Sequence, residues 1–272
     1  MKLCCLGDLM LDLIVRIDQP LARGDDTPAV TRAGAGGQAA NVAAWAASLG
    51  AHTRLIAKWG SDTTGRLVAA EVEARRVEVL GPMGQGRNGV VVSIVEENGE
   101  RSMLSDRGVG ADLRVEDLEP GWFAGCDSIY VSGYSLLVEN MAEASVTAAD
   151  AVRAEGGVVS VDLSTWTSIR DFGPSRFLDE IEKLRPDVVF ANEQELAELG
   201  AEPSAGTIVL KRGPAGVVVI AGGSREEHAA HLREAVDTTG AGDALAAGYL
   251  VGGIELGLEA AANCVSKLGA MP

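Results

Sequence analysis

Asp237-Thr238-Thr239-Gly240-Ala241-Gly242-Asp243 runs directly into Ala244-Leu245-Ala246-Ala247-Gly248-Tyr249-Leu250. Polar residues precede two glycines, and a helix of small residues follows. Such a turn aims several backbone N–H groups at one point, and the helix dipole adds partial positive charge there. The result is a site for an anion, most naturally a phosphate. An acid, Asp243, stands at the mouth of the same site. A carboxylate beside a phosphate is electrostatically costly unless it takes a proton from a group attacking that phosphate. Phosphoryl transfer follows, with Asp243 as general base and the Gly240, Ala241 and Gly242 amides holding developing charge. Read alone, the seven residues also fit a plain helix N-terminus with an acid in its first turn.

Size and composition narrow the classes. The chain has 272 residues, 47% hydrophobic, and a net charge of −16. That length suits one large α/β domain or two small ones. No run approaches the ~18 apolar residues of a membrane span. The negative charge argues against nucleic-acid binding, which needs a basic footprint. It also means that any nucleotide site must be built locally from backbone amides and a few Lys or Arg. The apolar N-terminal stretch is too short for a signal peptide and reads as a buried strand. Four cysteines, at 4, 5, 126 and 264, form neither a zinc pattern nor a disulfide framework. A reduced, cytoplasmic protein is the expectation.

Periodicity orders the chain. Residues 2–8 read as a central strand, and residues 11–18 alternate as a half-exposed strand. A loop and short strand over 20–35 precede Gly34-Ala35-Gly36-Gly37-Gln38-Ala39-Ala40-Asn41, which opens a helix ending near Gly50. Its Gly-x-Gly-x-x-Ala spacing matches a dinucleotide fingerprint, but no buried strand leads directly into it, so a Rossmann site is rejected. Residues 53–59 form a strand, and Gly60–Gly65 a turn capping a helix to about 76. Residues 89–96 and 100–104 are β-branched runs joined by Glu97-Asn98-Gly99, a strong hairpin signal. With residues 11–32 they could make a small separate sheet. From 127 onward strands (127–132, 158–163, 187–190, 207–211, 217–220) alternate with helices (139–154, 175–184, 193–199), and a last helix covers 256–268. Residues 222–235 read as exposed loop and edge strand. Alternation of this kind implies a parallel sheet with right-handed crossovers and ligands at its C-terminal edge. Asp8, Asp162, Asn192 and Glu195 fall there.

D-T-T-G-A-G-D resembles the C-terminal signature of the ribokinase-like (PfkB) family of carbohydrate and nucleoside kinases. The G-G-x-x-x-N of Gly36, Gly37 and Asn41 resembles the N-terminal signature, and the matches run in order through the whole chain. The resemblance implies a three-layer α/β/α fold with a mainly parallel central sheet and a small β-sheet lid. It implies a single kinase domain over 1–272, with the lid from about 11–35 and 88–107. The implied substrate ligands are Asp12, Gly36, Gly37, Asn41 and Arg107, although Asp12 also reads as a solvent-facing strand residue and Arg107 as a surface Arg. Nucleotide ligands would be Asn192, Lys211, Gly213, Gly216, Thr238 and Asn263. Glu195 of the N-x-x-E element would hold Mg²⁺ through water, and Asp237 with Thr239 a monovalent cation such as K⁺. Relatives often continue past Gly269-Ala270-Met271-Pro272, which leaves K⁺ activation open. Gly60, Asp62 and Gly65 match a structural element. Lids in this family often mediate dimers.

The expected activity is transfer of the γ-phosphoryl group of ATP to a hydroxyl of a small carbohydrate. A nucleoside kinase is the alternative, disfavoured by a lid without aromatics. A non-catalytic sensor would keep the glycines without needing Asp243. No Walker A, His-Glu-x-x-His or Gly-x-Ser-x-Gly sequence competes.

Overall fold

The computed structural model describes residues 1–97 and 101–272, with Arg101 by its backbone alone. The expected turn at Asn98-Gly99 therefore lies outside the described residues. Strand Lys2–Leu6 is the centre of the fold, and four of its five residues are buried. Leu3 and Cys5 point into one apolar layer while Cys4 and Leu6 point into another. A strand covered on both faces loses the usual polar alternation, which is why this segment reads as one apolar run. It pairs in parallel with His52–Ile56 on one side and Ser128–Ser132 on the other.

The main sheet has nine strands. Seven are mutually parallel, from Val77–Leu80 at one edge to Thr207–Lys211. The antiparallel strands Val217–Ala221 and Ser224–His228 complete the other edge. Helices Gln38–Ser48, Thr63–Glu73, Ala241–Gly252 and Ile254–Val265 cover one face. Glu139–Ala154 and Pro174–Leu184 cover the other, through Met141, Ala148, Phe177 and Ile181. The three-layer α/β/α architecture is as the sequence implies.

A second sheet stands apart from the first. Its order is Val30–Gly36, Met10–Arg16, Gly89–Val95, Arg101–Asp106. The outer pairings are antiparallel, but Met10–Arg16 and Gly89–Val95 run parallel. Two hairpins from distant parts of the chain are thus joined side by side.

Three departures from the sequence reading bear most on the main sheet. Strand Val77–Leu80 and helix Trp166–Phe172 were not anticipated. The strand has only four residues and includes a Glu, and the helix is cut short by Gly173-Pro174. The third is a correction: Cys4 and Cys126 are paired as a disulfide across 122 residues. Cys126 lies just before Ser128–Ser132, the parallel neighbour of the strand carrying Cys4. That adjacency is a property of the sheet order and leaves no trace in cysteine spacing. Cys5 and Cys264 are buried and free. Among the described residues no helix is long and apolar enough to cross a membrane.

Asp62 shows how the lid is fastened to the body. Its Oδ1 accepts from the Gly65 amide at 2.9 Å and caps helix Thr63–Glu73, while Oδ2 accepts from the Asn88 amide at 3.3 Å. Asp62→Ala strands both amides and should lower the unfolding free energy by about 1–2 kcal/mol. Urea denaturation should register it as a lower midpoint at unchanged slope.

Candidate active site

Helix Ala241–Gly252 begins at Gly240, whose φ of +79° is left-handed. A Cβ there would also lie 2.6 Å from the Ala270 side chain, so only glycine fits. The turn before it is tied by Asp237, whose Oδ1 accepts from the amide and hydroxyl of Thr239 at 2.9 and 2.6 Å. Asp237 Oδ2 accepts from the Gly269 amide at 3.0 Å. The C-terminal segment is itself pinned, because Trp45 Nε1 donates to the Ala270 carbonyl at 2.7 Å. The first amides of the helix, those of Gly242 and Asp243 among them, have no intrahelical acceptor and stay available to a ligand.

Asp243 lies in the first turn of this helix. Asn41 Nδ2 donates to its Oδ2 at 2.8 Å, so residues 202 apart in sequence meet here. Burial is the largest influence on Asp243 and raises its pKa to about 7. The Asn41 hydrogen bond opposes that rise, Asp162 and Asp12 add to it, and Lys211 counters it. Asn41 is buried, and its Oδ1 has no hydrogen-bond partner among the described residues. Helix Gln38–Ser48 brings Asn41 in from Gly37, at φ +97°, where a Cβ would strike the Asp8 carbonyl. A Cβ on Gly36 would strike the Asp12 carboxylate, so the strands carrying these residues close directly on each other.

Two ion pairs flank this centre. Lys211 Nζ donates to Asp162 Oδ2 at 2.6 Å and lies 3.5 Å from where a Gly242 Cβ would be. Burial works against the Lys211 charge, but Asp162, Glu195 and Asp243 outweigh it, and its pKa ends above the ordinary value. The ammonium therefore stays charged beside the anion turn. On the other side Arg107 Nη2 donates to Asp8 Oδ1 at 3.0 Å and Nη1 to the Tyr134 carbonyl at 3.1 Å. Arg107 thus reaches from the end of a lid strand to the sheet edge, already well bonded. Gln38, which sequence reasoning passed over, accepts from the hydroxyls of Ser132 and Ser164 at 2.5 and 2.6 Å. It ties two strand ends to the start of the Asn41 helix, and no spacing signals that role.

Asn192 and Glu195 stand farther along the edge. Glu195 accepts from the Asn192 amide at 2.7 Å and from its Nδ2 at 2.8 Å, while Asn192 Oδ1 accepts from the Glu195 amide. The pair is a reciprocal cap for helix Glu193–Leu199. Burial raises the Glu195 pKa, with Lys211 opposing. Among the described residues no group of three His, Cys, Asp or Glu is arranged to hold a metal.

A cavity of about 400 Å³ opens beside the anion turn. Its lining mixes Lys211, Thr238, Gly213, Gly216 and Gly242 with the apolar Val217, Leu245, Leu258, Ala262 and Val265, and Lys211 and Val217 pair directly across the sheet. Asn263 is not in the wall: the lining face of its helix is Leu258, Ala261, Ala262 and Val265, at helical spacing, and position 263 falls off that face. Residues 222–235 form strand Ser224–His228 and a following segment whose Ala230, His231, Leu232 and Arg233 wall the cavity. The sequence alone marked this segment only as exposed.

The pfkB family carbohydrate kinase model matches residues 1–271. The chain belongs to that family. It is an ATP-dependent carbohydrate kinase with a ribokinase-like fold. It is 29% identical over 274 residues to the ATP-dependent ribose-1-phosphate kinase of Halopiger xanaduensis, covering 95% of this chain and 88% of that protein. It is 28% identical over 269 residues to a fructokinase of Klebsiella pneumoniae, covering 92% and 84%. The crystal structure of adenosine kinase from Sinorhizobium meliloti matches with a TM-score of 0.87 at 28% identity, covering 100% of this chain and 95% of that one.

A carboxyl with a pKa near 7 can act as a base only after losing its proton. The acid limb of kcat/KM should therefore rise with pH to an inflection at about 7, leaving roughly a tenth of full activity at pH 6. A pH–rate profile with saturating ATP checks this, and an acid limb near 4 would contradict it.

Proposed function

We propose that the acceptor is a small, hydroxyl-rich carbohydrate held under the lid by Asp12, Gly36, Gly37 and Asn41, with Asp243 as its general base. The observation that carries this reading is the contact of Asn41 with Asp243. One residue then both aligns the base and offers its unpartnered Oδ1 to a substrate hydroxyl. Arg107 would act from the lid side, either on the acceptor or by steadying Asp8.

In the reaction, the acceptor oxygen attacks the γ-phosphorus of ATP in line while its proton passes to Asp243. The bond from the γ-phosphorus to the β,γ-bridging oxygen breaks, and ADP leaves. The amides of Gly240 and Gly242 would hold the charge spread over the phosphoryl oxygens, and Lys211 adds a fixed positive charge; the expected Ala241 amide instead donates to the Thr238 carbonyl at 3.3 Å. Thr238, Gly213 and Gly216 border the nucleotide, and Asn192 and Asn263 would act from behind this first layer.

Mg²⁺ fits this donor set in a limited way. Glu195 is engaged in its cap and Asp162 in its ion pair, so the protein would hold the metal through water on Glu195, with the triphosphate as main ligand. Bound there, the metal would neutralise phosphate charge. Asp237 and Thr239 would form a K⁺ site, on a turn that Gly269 already ties. The exposed lid residues Val30 and Met103 support a homodimer through the lid. A cytoplasmic location fits the need for ATP, while the Cys4–Cys126 disulfide is of a kind more often kept in oxidising compartments. A nucleoside acceptor is the second reading, favoured by the 0.87 TM-score to an adenosine kinase.

The test is ADP release from ATP and Mg²⁺ over pentoses, hexoses, keto-acid sugars, sugar phosphates and nucleosides, with and without K⁺. Turnover with a free sugar or sugar derivative is expected. Turnover with nucleosides alone would replace the sugar reading by the second one.

A further inference from the structure

Gln38 stands in the first turn of helix Gln38–Ser48, on the same helix as Asn41. Its Oε1 lies 2.5 Å from the Ser132 hydroxyl and 2.6 Å from the Ser164 hydroxyl. Both distances suit O–H···O bonds and are too short for N–H donors, so the amide oxygen faces the two serines and both of its lone pairs are used. Ser132 ends one strand, and its register partner on the next strand is Asp162, the carboxylate that bonds Lys211. We propose that Gln38 is a positioning residue for the phosphate donor: it latches the turn at Ser164, the turn fixes the Asp162 carboxylate, and the carboxylate holds the Lys211 ammonium against the Gly240–Gly242 turn. The proposal rests on the reading of Lys211 as a cation for the donor's phosphates.

Ser164 needs a latch because its backbone is strained. Its φ of +73° is left-handed, a region that residues with a side chain rarely occupy and keep only where the surroundings enforce it. The Thr165 amide donates back to the Leu163 carbonyl at 2.9 Å, so the chain bends sharply around Ser164. Three-residue turns with a positive φ at the centre are rare. In this conformation the Ser164 amide donates to Asp162 Oδ1 at 3.0 Å. Its hydroxyl has one proton and two acceptors within reach, Gln38 Oε1 at 2.6 Å and the Asp162 carbonyl at 3.0 Å, and the nearer is on Gln38. Among the described residues, Gln38 is the side chain that bonds Ser164 from outside its own turn.

Asp162 turns this local geometry into the position of a charge. The carboxylate is fully buried and its oxygens are shared out, Oδ1 to the Ser164 amide and Oδ2 to Lys211 Nζ at 2.6 Å. A carboxylate held at one oxygen presents the other in a fixed direction. The ammonium follows it, because separating the two would leave buried charge uncompensated. Nζ lies 3.5 Å from where a Gly242 Cβ would be, which puts the charge at the start of the anion turn. With Ser164 relaxed to an ordinary φ, its amide would leave Oδ1, the carboxylate could rotate, and the ammonium would lose its fixed place. The residue type at 38 fits this role. Asn is a methylene too short to span the same gap, and Glu would add a negative charge beside the Asp162 turn. Since Asn41 on the same helix bonds Asp243, one element sets both the base and the phosphate cation.

Isothermal titration of the full chain with ATP and Mg²⁺ tests this without needing the acceptor. Gln38→Met keeps the side chain's length, removes both bonds and should weaken ATP by about five- to tenfold. A change of less than about twofold would overturn the proposal. Should Gln38→Met not fold, Ser164→Ala breaks the same bond from the other side and carries the same two outcomes. The paired variant Asp162→Asn/Lys211→Met removes the cation without stranding a buried carboxylate, and should itself weaken ATP by about tenfold or more. Unchanged affinity in that pair would remove the reading of Lys211, and the proposal with it. Gln38→Met added to the pair should cost less than about twofold further, since the cation it positions is gone. A further loss of about fivefold or more would mean that Gln38 touches the nucleotide itself, and would overturn the proposal. Glycine adopts a left-handed φ without strain, so Gln38→Met/Ser164→Gly should bind ATP within about twofold of the parent. Affinity no better than that of Gln38→Met alone would overturn the latch.

Discussion

The hydrogen bond from Asn41 to Asp243 is the contact on which the rest of the site depends. It joins the helix that opens after Gly37 to the helix that opens after Gly240, and both must approach closely for it to form. Ala40, Ala43, Ala44, Ala244 and Ala247 are fully buried on these helices and allow that approach. The two entry glycines put each helix start where a larger residue would collide, with Asp8 in one case and Ala270 in the other. The C-terminal segment closes the arrangement from behind through Gly269 and Ala270. A single side-chain pair thus fixes the direction of the base, and residues from both ends of the chain are needed to hold it.

Charge presents the opposite problem. The protein carries −16 overall yet must accept a triphosphate. Local pairing answers it. Asp162 is fully buried and matched by Lys211, whose ammonium is thereby held charged next to Gly242. Asp8 is matched by Arg107. Removing one partner of such a pair leaves an uncompensated buried charge, which costs far more than the pair is worth as a stabilising contact. Asp243 is the exception. Among the described residues its printed hydrogen bond comes from an amide and not from a cation, and burial leaves its pKa at about 7.

Much of this was legible in sequence because the decisive features are local. Asp237–Asp243 forms its turn from its own side chains and glycines, and the Gly36-Gly37 pair opens its helix the same way. Helices Glu139–Ala154 and Glu193–Leu199 and strand Thr207–Lys211 were read at their observed bounds. What escaped depends on sheet order or on rotation about a helix. Cys4 meets Cys126 because two strands 122 residues apart are neighbours. Arg107 could be suspected of a functional contact, but its bond to Asp8 needs the lid and the sheet edge in place. Asn263 has a suitable side chain on a suitable helix, one position away from the face that lines the cavity. The segment 229–236 is irregular and mixes alanines and Leu232 with charged residues at no regular period, so nothing in it announces a wall.

The central claim is that Asp243 removes the acceptor's proton and does little to hold ATP. The most direct measurement is to set turnover against ATP affinity in Asp243→Asn, which keeps the side chain's shape and its contact with Asn41. The account predicts that kcat falls by about 10²–10⁴ while the ATP dissociation constant stays within about threefold. Turnover within tenfold of the parent enzyme would contradict it and leave the carboxylate as no more than the first turn of a helix.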